Sequence, residues 1–333
     1  MEYLLRILLF FSVVASLSNA KLYAALKDVK VDGYLDSTLE VESFKNGELN
    51  HRAKIEAETK RKNGVKAEFA VRFESNQNES EFRESVINKK FDDGWRLEFG
   101  FTKKRFGLEY EYDKLKRSTI RRSPVYRRLE IFTYASRETM LRWYRKADFK
   151  KDRAGYELSL GNSAAQNTSL LASTKIPLSE VSTFSSWLQI QSDHIDDGQQ
   201  IVWALMSAME HKMDRHKVVN EVLIAVDPDQ TELNKTLDLG DEAYFAAWKG
   251  EYNYVISKSP DGLWLYIMQT SFAAQDLDVG GYNSIQLLVG TSYYVEPLTL
   301  AINLDGVGST SRIDPTNRNY SESNVRLEAV YEF

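Results

Sequence analysis

From Val31 to the last residue, Phe333, the chain is dominated by a period of two. Leu35, Leu39 and Val41 alternate with Asp36, Thr38, Glu40 and Glu42. Ala53, Ile55 and Ala57 alternate with Arg52, Lys54, Glu56 and Glu58. After Lys62-Asn63-Gly64 the pattern resumes with Val65, Ala67, Phe69, Val71 and Phe73 on one side and Lys66, Glu68, Arg72 and Glu74 on the other. Side chains of a strand point alternately to its two faces, so each run presents one apolar and one charged face. The Asn-Gly step between two such runs is a hairpin signal. A soluble sandwich turns its charged face to water, whereas a membrane barrel turns it to a wet lumen. Local pattern alone does not separate the two.

Counting runs gives five strands before residue 103 and eleven after residue 128, sixteen antiparallel strands in an all-β chain. No stretch of useful length shows a 3.6-residue period. The connections then sort by length. Short turns (residues 60–64, 92–94, 148–153, 177–183, 212–216, 259–262 and 294–297) fall on one side. The three longest connections (103–128, 227–242 and 306–323) fall on the other. A transmembrane barrel has that asymmetry, with short periplasmic turns and long external loops. The expected fold is a sixteen-stranded transmembrane antiparallel β-barrel.

The beginning and end of the chain agree. Residues 1–20 carry one Arg, a short apolar run from Ile7 to Leu17 and small residues at Ser18 and Ala20. This reads as a cleaved secretory signal, leaving 21–333 as one barrel domain exported through the periplasm. There is no cysteine, so neither disulfides nor thiolate metal sites are available. The chain closes with Val325, Leu327, Ala329, Tyr331 and Phe333 on one face. This terminal strand resembles that of Gram-negative outer-membrane barrels, in which the final aromatic engages the barrel-assembly machinery. The implied location is the bacterial outer membrane.

One segment departs from the pattern. Lys103–Arg128 holds ten basic residues against Glu109, Glu111 and Asp113, inside a chain of formal charge −5. Pro124 and the paired arginines interrupt any long strand there. Gly100, Lys103 (or Lys104), Phe106, Gly107, Leu108 and Glu109 resemble the Gly-x-x-Lys-x-x-Phe-Gly-Leu-Glu passage of the phosphate- and polyphosphate-selective porins. Arg105 stands where that family usually has Pro. The flanking residues, within 82–161, share the likeness. The resemblance implies that this third external loop folds into the channel, and that three copies of the chain form a trimer.

A low-dielectric wall focuses the field of clustered cations, drawing small anions inward. Arginine suits oxyanions because its planar fork donates two parallel hydrogen bonds and stays charged. The residues expected at the constriction are Arg105, Lys114, Lys116, Arg117, Arg121, Arg122, Arg127, Arg128 and Arg142. Arg142 and Arg145 lie on opposite faces by parity, so at most one faces the lumen. Alternatively these cations pair with wall carboxylates or with lipopolysaccharide phosphates, leaving a general pore for small hydrophilic solutes. The acidic 227–242 loop lacks the register of an ordered calcium loop.

Other classes fit less well. The four histidines, His51, His194, His211 and His216, have no evident nucleophile beside them, so no catalytic site is expected. A structural or adhesive barrel without transport remains an alternative. No cofactor, metal or nucleic-acid motif is expected.

Overall fold

A computed structural model describes residues 29–42, 47–60, 64–74, 79–111, 119–120, 122–162, 168–195, 198–228, 231, 243–259, 262–275, 282–296, 298–311 and 320–332. The expected signal at 1–20, the side of Phe333 and most of the acidic 227–242 loop lie outside the described residues.

Sixteen strands form one closed antiparallel barrel. They are β1 (Val29–Glu42), β2 (Gly47–Lys60), β3 (Val65–Glu74), β4 (Glu79–Lys90), β5 (Trp95–Lys103) and β6 (Arg137–Arg145). Next come β7 (Gly155–Asn162), β8 (Thr168–Pro177), β9 (Ser182–Ile195), β10 (Gly198–Met213) and β11 (His216–Val226). The last are β12 (Tyr244–Ser259), β13 (Gly262–Gln275), β14 (Tyr282–Val295), β15 (Leu298–Ser311) and β16 (Tyr320–Glu332). Every strand pairs with its sequence neighbours, and β1 closes on β16 with Leu39 opposite Leu327 and Val41 opposite Val325. Closure leaves no unpaired edge, as a bilayer requires. The five-plus-eleven division read from the alternation is the observed one.

Parity divides the two faces. On β11, Glu221 is buried inside while its neighbours Val222 and Ile224 are exposed outside. The outward face collects Leu158, Leu160, Leu205, Phe272, Ile285 and Leu304, all exposed. Aromatics gather near the short turns, with Trp95 stacked on Trp143 at 5.4 Å and Trp264 edge-on to Tyr293 at 6.1 Å. An apolar band with aromatic girdles is what lipid demands of a barrel's exterior.

Inside, closure is reinforced by charge. Arg326 on β16 donates from Nη2 to Glu40 on β1 at 2.8 Å and from Nη1 to Asp305 on β15. One guanidinium therefore ties three strands across the seam.

The main apolar cluster lies within the barrel. It joins Phe106, Leu108, Tyr126, Leu129 and Phe132, from the segment between β5 and β6, to inward-facing residues of β8–β12 such as Trp187, Val202, Met206, Leu223 and Phe245. That segment carries two short helices, α1 (Leu108–Glu111) and α2 (Pro124–Ile131), where no helix was expected from periodicity. Eight residues are too few to display a 3.6 period. Pro124 does break strand pairing, yet it also opens α2, where a missing N–H costs nothing and φ is already helical.

Candidate functional site

The segment's stem is clasped by Lys104. Its Nζ is buried and lies 2.6 Å from Glu138 on β6 and 2.9 Å from the Thr133 carbonyl. Its backbone N–H donates to Ser136 O at 3.0 Å. The entry and exit of the excursion are thus held together at one point.

Two glycines of the motif have steric causes. At Gly100, φ is +144°, and an added Cβ would lie 2.8 Å from Val86 Cα on β4. At Gly107, φ is +87°, and a Cβ would meet the Tyr126 hydroxyl and the Met206 sulfur. Glycine tolerates both the backbone conformation and the close approach. Gly107 redirects the chain into α1.

Helix α1 is fastened by its acids to the wall. Glu109 lies 2.8 Å from Lys249 Nζ on β12, and Glu111 lies 3.0 Å from Lys175 on β8. Glu109 also accepts from the Ser123 N–H at 3.1 Å, just before α2. From α2, the Tyr126 hydroxyl donates to Glu221 on β11. Burial, followed by the nearby Glu221 and Glu109 charges, pushes the Tyr126 phenol well up, so it remains a donor. Further on, Ile120 N–H donates to Asn303 Oδ1 on β15 at 2.8 Å, and Gln191 on β9 donates to the Phe132 carbonyl at 3.1 Å. The segment therefore touches inward-facing residues from β8 round to β15.

The cations expected at the constriction separate into groups. Arg105 is partly exposed, sits 5.2 Å above the Tyr144 ring and lies 3.8 Å from Glu98. Burial opposes its charge, but Glu98 and Glu157 outweigh that and raise its pKa. Arg122 lies 4.2 Å over Tyr110 and 2.6 Å from Glu130. Arg142 is fully buried, closing on Glu98 and sitting 2.9 Å from Glu157, so it is part of the wall's internal bonding. Arg127 and Arg128 lie on α2. Lys114, Lys116, Arg117 and Arg121 lie outside the described residues.

Between the segment and strands β1–β8 lies a cavity of about 550 Å³. Arg105, Lys103, Arg145 and Lys175 line it alongside Glu56, Glu68, Glu84, Glu98 and Glu157. In all it carries eight carboxylates and six lysines or arginines. A smaller cavity of about 280 Å³ lies on the other side, between Leu108, Glu109 and Thr119 and the walls of β11–β14. Among the described residues no cluster of acids and histidines has the geometry of a metal site.

Sequence reading did not find Lys249, Glu221, Lys175 or the apolar inner wall. A signal for the wall was present: Ile201–Met206 and Val222–Val226 are unbroken apolar runs. Strands buried on both faces read that way.

These features define a class: a closed sixteen-stranded porin barrel with its β5–β6 connection packed inside. The family model described as "Phosphate-selective porin O and P" matches residues 35–173, which takes in β5, β6 and the whole segment between them. The fold is that of outer-membrane porins of known structure. An anion-selective porin from Comamonas acidovorans is similar with a TM-score of 0.62 at 10% identity, over 92% of this chain and 99% of that one. OmpT of Vibrio cholerae in its trimer form gives a TM-score of 0.66 at 11% identity, over 92% and 99%. Salmonella typhi OmpF in complex with daunomycin gives 0.67 at 8%, over 92% and 97%. No curated protein sequence matches the chain. The chain has the fold of the outer-membrane porins, and over residues 35–173 it resembles the phosphate-selective porins O and P.

Proposed function

We propose that this channel passes small hydrophilic solutes by passive diffusion and prefers anions, phosphate-like ones among them. The observation that carries this reading is the surplus of ten basic over three acidic residues in Lys103–Arg128, whose ends and helices pack within the barrel. Arg105, Lys114, Lys116, Arg117, Arg121, Arg122, Arg127, Arg128 and Arg142 are the cations assigned to it, Arg142 as support behind the surface. Weak successive contacts pass an ion along, where one tight site would hold it. The family match over residues 35–173 and the anion-selective Comamonas structure favour the same preference. In this reading residues 1–20 are the cleaved signal, 21–333 is the barrel domain, the terminal strand ending at Phe333 engages the assembly machinery, and the chain forms a homotrimer like the trimeric OmpT. Its exterior contacts lipid and lipopolysaccharide.

One observation favours a second reading, a general pore of weak selectivity. The larger cavity carries more carboxylates than cations, and the described cations Lys104, Arg105, Arg122 and Arg142 all have acidic neighbours. The reversal potential of the protein in a planar bilayer under a salt gradient decides between them. Anion selectivity that falls in Arg121→Glu/Arg122→Glu supports the basic filter. Cation selectivity or none in the parent protein overturns it.

A further inference from the structure

Lys249 sits on the inward face of β12 with only 2% of its side chain exposed. Its Nζ lies 2.8 Å from Glu109 on α1, 2.8 Å from Glu221 on β11 and 3.3 Å from Glu251 on its own strand. The ring of Tyr126, on α2, lies 5.3 Å from the same ammonium. The carboxylates are themselves shared: Glu221 accepts from the Leu108 N–H at 3.3 Å and from the Tyr126 hydroxyl, while Glu109 accepts from Ser123 N–H. Glu251 accepts from Asn253 at 2.8 Å and Gln269 at 3.2 Å, which anchors it to the wall. A single buried cation thus joins both helices of the segment to two wall strands.

We propose that Lys249 is the positioning residue that holds the constriction segment against the barrel wall. Three buried carboxylates surround one ammonium, and without it they face one another in a low-dielectric interior. Glu221 and Glu251 are fixed by the hydrogen-bond ladders of a closed barrel. Glu109 belongs to a four-residue helix in a connection, so the segment is what yields. The apolar cluster gives the segment a surface to rest on but is non-directional, whereas the Lys249 contacts fix where it rests.

This inference rests on reading the segment as the constriction, but its test does not depend on conduction. The chain contains no cysteine, so Val125→Cys places a single thiol on α2, at a side chain 2% exposed. A buried thiol reacts slowly with a water-soluble maleimide. In the full-length protein folded in lipid vesicles, Val125→Cys and Val125→Cys/Lys249→Arg are expected to react slowly. Val125→Cys/Lys249→Met is expected to react at least about tenfold faster, as the segment opens locally while the barrel persists. If the Met variant reacts as slowly as the parent, the apolar cluster alone holds the segment and the proposal fails. Should Lys249→Met prevent barrel formation, Val125→Cys/Glu109→Ala takes its place, since it leaves Lys249 with its wall carboxylates. Faster labelling there supports the proposal, and unchanged labelling overturns it. A channel without anion preference whose thiol still follows Lys249 would count against the selectivity reading alone.

Discussion

Glu98 and Arg142 are registered neighbours on β5 and β6, and their carboxylate and guanidinium close on each other inside the wall. The same guanidinium donates to the Lys103 carbonyl at 2.9 Å, where β5 ends and the inner segment begins. Asn88 and Tyr144 also donate to Glu98, so its lone pairs are filled from both neighbouring strands, β4 and β6. Removing one partner of such a buried pair strands the other charge. Arg142→Ala is expected to destabilise the barrel by about 3 kcal/mol, the low end for buried pairs because Arg105 stays near Glu98. Urea unfolding of the protein folded in lipid vesicles measures this. Arg142→Lys, which keeps charge but loses the fork, should fall between the two.

Arg105 shares Glu98 with Arg142 but faces the larger cavity, with 31% of its side chain exposed against 0% for Arg142. A charge in contact with the permeating solution changes the local ion population, while a buried one mostly holds structure. Arg105→Ala is therefore expected to shift the reversal potential toward cation preference without lowering the urea midpoint. Arg142→Ala should do the reverse, lowering the midpoint with a smaller change of potential. A larger shift from Arg142→Ala than from Arg105→Ala would contradict this division of roles.

The same contrast marks how far the sequence could be read. Strand number and the loop that departs from the pattern were legible because a two-face environment writes a period of two into every strand. The terminal alternation at Val325, Leu327 and Ala329 took its place between β15 and β1 for the same reason. What was not legible was which charges meet. Glu109 and Glu111 are adjacent in sequence to the basic clusters of their own segment, yet they pair with Lys249 and Lys175 on distant strands. Arg122, by contrast, finds Glu130 within the segment. Pairing of this kind depends on the path of a connection with no repeating pattern. The inner wall was legible in principle, through Ile201–Met206 and Val222–Val226, because alternation fails where lumen-facing positions are also apolar.

Gly107 should be the least replaceable residue of the segment. Its φ of +87° disfavours any side chain, and a Cβ would lie 2.6 Å from Met206 Sδ on the wall and 2.8 Å from Tyr126 Cε1 on α2. Gly107→Ala is expected to cost about 1–2 kcal/mol from backbone conformation alone, with the clash added. The cost falls on docking, since Gly107 takes no part in the strand ladders. Trp187, 1% exposed beneath the segment, reports it: in a background keeping only this tryptophan, acrylamide quenching should rise in the variant. Equal quenching would mean that the segment absorbs a side chain there without moving.

Gln286 and Leu287 test the orientation of the wall with a single step along β14. Gln286 is 4% exposed and donates from Nε2 to Asp305 Oδ2 at 2.9 Å, so it faces inward. Leu287 is 52% exposed and belongs to the apolar exterior. An arginine on the lipid face of a barrel costs about 2–4 kcal/mol near the bilayer midplane, because the guanidinium has no water and no counter-charge. The same arginine at 286 has the Asp305 carboxylate within reach. Leu287→Arg is expected to lower folding yield into vesicles and the urea midpoint, with Gln286→Arg close to the parent in both. If the two substitutions behaved alike, or in the opposite order, β14 would present its faces the other way round. The register that links Gln286 to Val307, and Asp305 to Asn324, would then have to be shifted by one residue throughout that part of the barrel.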